Sequence, residues 1–129
     1  MDNIAKGTWI VVADGAGARV FTNVGDEKAV SLRQDDLLSQ DDTEGGPGKV
    51  PQEQNDADMG ESAFSHQLAH RINAAALKNQ FQHLVLIADP QSLGRIRPLL
   101  HKVVQERLLG ELGKTLTNAP LADIERALA

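Results

Sequence analysis

The stretch from His83 to Gly94 constrains this chain more than any other. Leu84, Val85, Leu86 and Ile87 are four consecutive large apolar residues, followed by Ala88, Asp89 and a proline that opens a helical pattern. Such a run predicts a strand passing straight into a helix. No polar residue alternates within it, so the strand must be buried on both faces, as parallel strands covered by helices are. The sheet can be built outward from residues 84–88.

A second unalternated run, Trp9 to Ala13, predicts another strand of the same kind. It ends in Asp14-Gly15-Ala16-Gly17, residue types that take the positive φ of a tight hairpin turn. Residues 18–22 return as its partner. Gly25-Asp26 marks a further turn, and residues 29–33 predict a weaker strand near an edge. The first third of the chain thus reads as a three-stranded antiparallel meander.

Charge separates the next segment from the rest. Residues 35–61 carry nine acids against Lys49 alone, a balance of −8, within a total of −5; the remaining residues balance at +3. With Gly45-Gly46-Pro47-Gly48 and Pro51 added, the segment has too little apolar surface to offset the cost of ordering. It reads as a mobile acidic loop at about 35–61, drawn electrostatically toward a mildly basic body.

From Glu61 or Ser62 a helix follows, with Phe64, Leu68, Ile72 and Ala75/Ala76 on one stripe, ending near Lys78-Asn79. After Asp89-Pro90 the stripe Leu93, Ile96, Leu99, Leu100, Val103 and Val104 predicts another helix. Pro98 lies inside it and must kink or divide it, with the join expected near Gly94. Gly110 and Gly113 weaken a helix over 107–116, where a last strand is expected. Residues 117–120 then cap a final helix striped by Leu121, Ile124 and Leu128.

The order βββαβαβα, with right-handed crossovers, predicts a single α/β domain over 1–129 of ribonuclease H-like type. In it residues 84–88 are central, with 8–13 parallel beside them. At 129 residues the chain can bury a full core. It has no cysteine, which excludes disulfides, thiol nucleophiles and Cys-based metal sites. No apolar run reaches the length of a membrane span, and the first residues lack the pattern of a signal peptide, so the expected location is cytoplasmic, away from membranes. Aromatic residues are few, which argues against binding single strands of nucleic acid by stacking.

Several groups could carry chemistry. Asp14 and Asp89 would end adjacent parallel strands on one edge of the sheet, where ligands of α/β sheets collect, and Glu61 could join them from the helix start. Such carboxylates could hold Mg²⁺ and activate a water for phosphodiester cleavage. Equally, Asp14 could serve the turn and Asp89 cap the next helix. His66 and His70 have the spacing of helical zinc ligands, yet Gln67 stands where the zinc-protease motif has Glu, and both face away from the apolar stripe. No metal ligand is assigned to them. Gly15-Ala16-Gly17 is followed by a strand rather than a helix, unlike a phosphate cradle. Ser62 and Ser65 lack the G-x-S-x-G elbow of a hydrolase. Arg19, Arg95, Arg97, Lys102 and Arg107 are the candidates for an anion-binding surface.

Residues 9–21, 64–69, 84–90 with Leu93-Gly94, and 112–121 together resemble a bacterial family named as proteins required for attachment to host cells. That family is similar to the catalytic domain of archaeal and eukaryotic peptide-chain release factors, which shares this fold. In release factors the loop before the first helix carries Gly-Gly-Gln, which enters the ribosomal peptidyl-transferase centre. The matching positions here are Gly45, Gly46 and Pro47. Proline supplies neither a side-chain amide nor a backbone N–H, and an acidic loop is repelled by ribosomal RNA. The resemblance therefore implies a non-enzymatic interaction module needing no cofactor, associated with a protein, the ribosome or RNA. The alternative is a Mg²⁺-dependent nuclease using Asp14 and Asp89.

Overall fold

The computed structural model describes residues 4–39 and 56–128. Among these residues five strands form one mixed sheet in the order β3-β2-β1-β4-β5. β1 (Trp9–Ala13), β2 (Gly17–Asn23) and β3 (Leu32–Ser39) are the antiparallel meander. α1 (Asp56–Leu77) crosses to β4 (Leu84–Ala88), which lies parallel to β1 with Trp9 opposite Leu84 and Ala13 opposite Ala88. β1 is the middle strand. β4 is interior too, flanked on its other side by β5 (Leu108–Gly113), again in parallel. The architecture is the expected single α/β domain of ribonuclease H-like type.

Both apolar runs are buried on both faces because the sheet is covered on both. On one face Val11, Ala13, Leu84, Leu86 and Ala88 pack under Phe64, Leu68 and Ile72 of α1. The segments after β4 complete this layer through Leu93, Ile96, Leu100 and Val104. On the other face Ile10, Val12, Val85 and Ile87 meet Ile124 and Leu128 of α4 (Leu121–Leu128), together with Ile4, Phe21 and Leu32. Each large side chain removed from water contributes about 1.5–3 kcal/mol.

Between β4 and β5 the chain is broken as Pro98 requires. α2 (Pro90–Ile96) passes into a 3-10 turn (Arg97–Leu99), and α3 (Lys102–Arg107) starts afresh. The join lies at the turn and His101, and Gly94 sits inside α2 instead of marking it. Proline tolerates the first turn of a helix but not its interior, so the break falls just around Pro98.

β3 begins later and runs further than residues 29–33. Side chains organise the preceding segment as a turn: Asp26 Oδ1 accepts from the backbone N–H groups of Lys28 and Ala29. Buried Asn23 Oδ1 accepts from those of Gly25 and Ser31, while its Nδ2 donates to the Ile4 carbonyl. A residue range that satisfies its own amides in this way does not join a ladder.

The acidic segment is correspondingly shorter than 35–61, since residues 35–39 belong to β3 and 56–61 to α1. Helix α1 therefore starts well before Ser62, which lies within it rather than capping it. The mobile loop expected in between falls, for residues 40–55, outside the described residues. No helix among the described residues is long and apolar enough to cross a membrane.

Candidate functional site

Because Ala13 and Ala88 are paired, the residues that follow them emerge side by side at the carboxyl edge of the sheet. Asp14 closes the hairpin turn there. Its Oδ1 accepts from the backbone N–H of Ala16 at 2.8 Å and of Gly17 at 2.9 Å, and its Oδ2 accepts from the Thr117 hydroxyl at 2.7 Å. Thr117, expected to cap the last helix, is thus turned toward the hairpin instead.

Asp89 Oδ2 accepts from the Ser92 backbone N–H at 3.1 Å, capping α2, whose first residue is Pro90. Its Oδ1 is buried and, among the described residues, makes no hydrogen bond to a protein group. Glu61 reaches the same edge from α1. Its side chain lies against Gly15, where an added Cβ would come within 2.6 Å of the Glu61 chain, and Glu61 Oε1 accepts from Arg95 Nη1 at 2.6 Å. The edge thus holds Asp14, Glu61 and Asp89, each engaged by a different protein donor. Among the described residues no group of three or more His, Asp or Glu is arranged to hold a metal ion.

Four of the five basic candidates are engaged by groups of the protein itself. Arg19 Nη1 donates to the carbonyls of Thr117 and Ala119, its Nε donates to Gln34 Oε1, and its guanidinium lies 4.9 Å from the Phe21 ring centroid. Arg95 pairs with Glu61, while Arg97 makes a two-pronged contact with Glu111 of β5. Hydrogen bonds from Arg97 and the opposite charge of Glu111 raise the guanidinium's pKa. Arg107 Nη1 donates to the carbonyls of Ala76 and Phe81, and its Nη2 donates to Asn79 Oδ1. It thereby closes the end of α1, where Asn79 has φ +56°. Lys102 is exposed at the start of α3.

His66 and His70 are exposed on α1, and His66 Nδ1 lies 3.0 Å from the Ser62 carbonyl four residues earlier. Gly45, Gly46 and Pro47 lie outside the described residues.

One concave feature escaped the residue patterns. A groove of about 490 Å³ runs beside α1 toward the β3 end of the sheet, with Trp9, Leu38, Phe64, His70, Arg71 and Lys78 among its walls. These residues come from three elements and the segment after α1, so no local motif marks it. The only trace it leaves in the sequence is the succession of His70 and Arg71 on α1 and Lys78 just after it.

No curated protein matches the chain in sequence. Among solved structures, an archaeal translation termination factor, aRF1, superimposes with a TM-score of 0.51 at 13% identity, covering 93% of this chain and 37% of its own. A Ppx/GppA phosphatase from Aquifex aeolicus gives a TM-score of 0.41 at 11% identity, covering 81% of this chain and 34% of its own. The chain thus spans little more than a third of the length of either structure. Residues 7–128 match the model of bacterial archaeo-eukaryotic release factor family 12, and the chain belongs to that family.

Proposed function

We propose that this chain is a translation-related interaction module that binds a protein, the ribosome or RNA without hydrolysing peptidyl-tRNA. What supports the reading is Pro47, which the resemblance sets at the position of the Gly-Gly-Gln glutamine, in a chain of bacterial archaeo-eukaryotic release factor family 12. A proline there removes both the amide and the backbone donor that a hydrolytic water could be oriented by. The engagement of Asp14, Glu61 and Arg95 within the protein supports a structural use of that edge. A host-attachment role, as the resemblance implies, would act through the same kind of partner-binding surface.

The test is sedimentation of the purified chain with ribosomes and their subunits, beside an assay for release of labelled peptide from peptidyl-tRNA. Co-sedimentation without release is expected. Release overturns the reading, and absence from every ribosomal fraction removes its translational part.

The unpartnered Asp89 Oδ1 favours a second reading, in which this oxygen meets a divalent cation and the chain cleaves phosphodiesters. Incubation with labelled RNA and DNA, with and without Mg²⁺ or Mn²⁺, separates the two. Metal-dependent cleavage lost in Asp89→Asn establishes the nuclease.

A further inference from the structure

The groove beside α1 has a definite chemical character. Its floor is apolar, with Trp9 and Phe64 joined by Leu38, and Trp9 is steadied by Phe81 at 5.0 Å between ring centroids. Its α1 wall carries His70 and Arg71, Lys78 follows just beyond the helix, and no carboxylate is among its described lining residues. Asp36 of β3 pairs with Arg71, so this cation is already held by a carboxylate reaching over from the strand. Among the described residues β3 is the last strand on that side, an edge of the kind that accepts a further extended segment.

Resting on the interaction-module reading, we propose that this groove binds an extended peptide segment of a partner protein in which acidic and apolar residues alternate. Apolar side chains enter the floor against Trp9, Phe64 and Leu38. Carboxylates meet Lys78 and His70, and one displaces Asp36 from Arg71. Alternation follows from strand geometry, because successive side chains of an extended segment point to opposite sides. RNA fits less well. A single half-buried tryptophan offers one stacking surface where single-strand binders present several.

Trp9 is the chain's one tryptophan, so its fluorescence reports on the groove directly. The experiment titrates the full chain with a short peptide alternating glutamate and leucine. A lysine–leucine peptide and oligouridylate are titrated in parallel. A saturable change in Trp9 emission is expected from the acidic peptide alone.

Two surface substitutions should move the affinity in opposite directions. Lys78→Glu weakens binding about fivefold, and Asp36→Asn, which frees Arg71 for the ligand, tightens it about threefold; both effects shrink with salt. A general loss of structure cannot produce opposite shifts. An equal response to the basic peptide, preferential binding of the oligonucleotide, or insensitivity to both substitutions overturns the proposal.

Ribosome sedimentation of the same variants separates this inference from the reading beneath it. Association with no peptide response in the groove removes the groove alone. Peptide binding without ribosome association removes the translational reading and leaves the groove standing.

Discussion

The Thr117 hydroxyl donates to Asp14 Oδ2 at 2.7 Å, joining residues 103 apart in the chain. The bond ties the turn between β1 and β2 to the segment that leads into α4. Both backbone donors of that turn converge on the other oxygen of the same carboxylate. Asp14 therefore acts as a staple between the hairpin and the layer on the opposite face of the sheet.

Replacing that staple should be costly. Hydrogen bonds to a charged acceptor contribute about 1.5–3 kcal/mol each, less where water can compete. Asp14→Ala is expected to lower stability by about 2–3 kcal/mol and Thr117→Val by about 1 kcal/mol. The double variant should lose less than the sum, since the two residues share one bond. Urea denaturation of the four proteins checks this, and strict additivity would show that the bond contributes nothing.

Arg107 should prove a structural residue. Its guanidinium satisfies the carbonyls of Ala76 and Phe81 and the Asn79 side chain at the end of α1. Arg107→Met keeps much of the stem but removes every donor, at an expected cost of about 2 kcal/mol. Arg107→Lys should recover only part of it, because an ammonium cannot reproduce the planar fork. Thermal unfolding of the three proteins reads the order directly.

Two glycines should respond oppositely to alanine. At Gly94, within α2, an added Cβ meets nothing within 4 Å. Gly94→Ala should stabilise by about 0.5–1 kcal/mol through helix propensity and a less free unfolded chain. At Gly25 the added Cβ would lie 2.1 Å from the Ala29 carbonyl oxygen. Gly25→Ala must move backbone in the turn before β3, and a loss of about 2 kcal/mol or more is expected. Denaturation midpoints of both variants against the parent settle the signs.

Asp35 adds a small acid-sensitive contribution. Burial pushes its carboxyl up, but hydrogen bonds from Arg33 and Thr22, with the charge of Arg33, outweigh that and hold it below the ordinary 3.8. A carboxyl whose folded pKa is depressed binds fewer protons in the folded state than in the unfolded one. Its contribution is full above the unfolded value and is lost as pH falls through the folded value, in a window below about pH 4. The site is largely exposed, so screening keeps the effect under about 1 kcal/mol. The stability difference between the parent and Asp35→Asn should narrow in that window, and a difference that stays constant from neutral pH to acid contradicts the account.

What the sequence by itself determined is what burial dictates locally. β1 and β4 were legible because a strand covered on both faces cannot carry polar residues, and α1 because its stripe of Phe64, Leu68 and Ile72 faces one layer. Pro98 made a break after α2 unavoidable, and Gly110 and Gly113 tipped the following residues toward strand. β3 was misplaced because it is an edge strand whose Arg33, Gln34 and Asp35 face water, so no apolar run marks it. Asn23 and Asp26, which hold the turn before it, act through bonds that composition does not display.

Only the tertiary structure decided what the charged residues do. Arg19 and Arg107 look like free cations in the sequence, yet each is committed to backbone carbonyls, 98 and 100 residues away for Arg19 and 31 and 26 for Arg107. Arg95 and Arg97 find Glu61 and Glu111 on other elements in the same way. The groove assembles from positions as distant as Trp9 and Lys78. A charge shows its sign in the sequence, but its partner is chosen by which elements the core brings together, and that is a property of the packed chain alone.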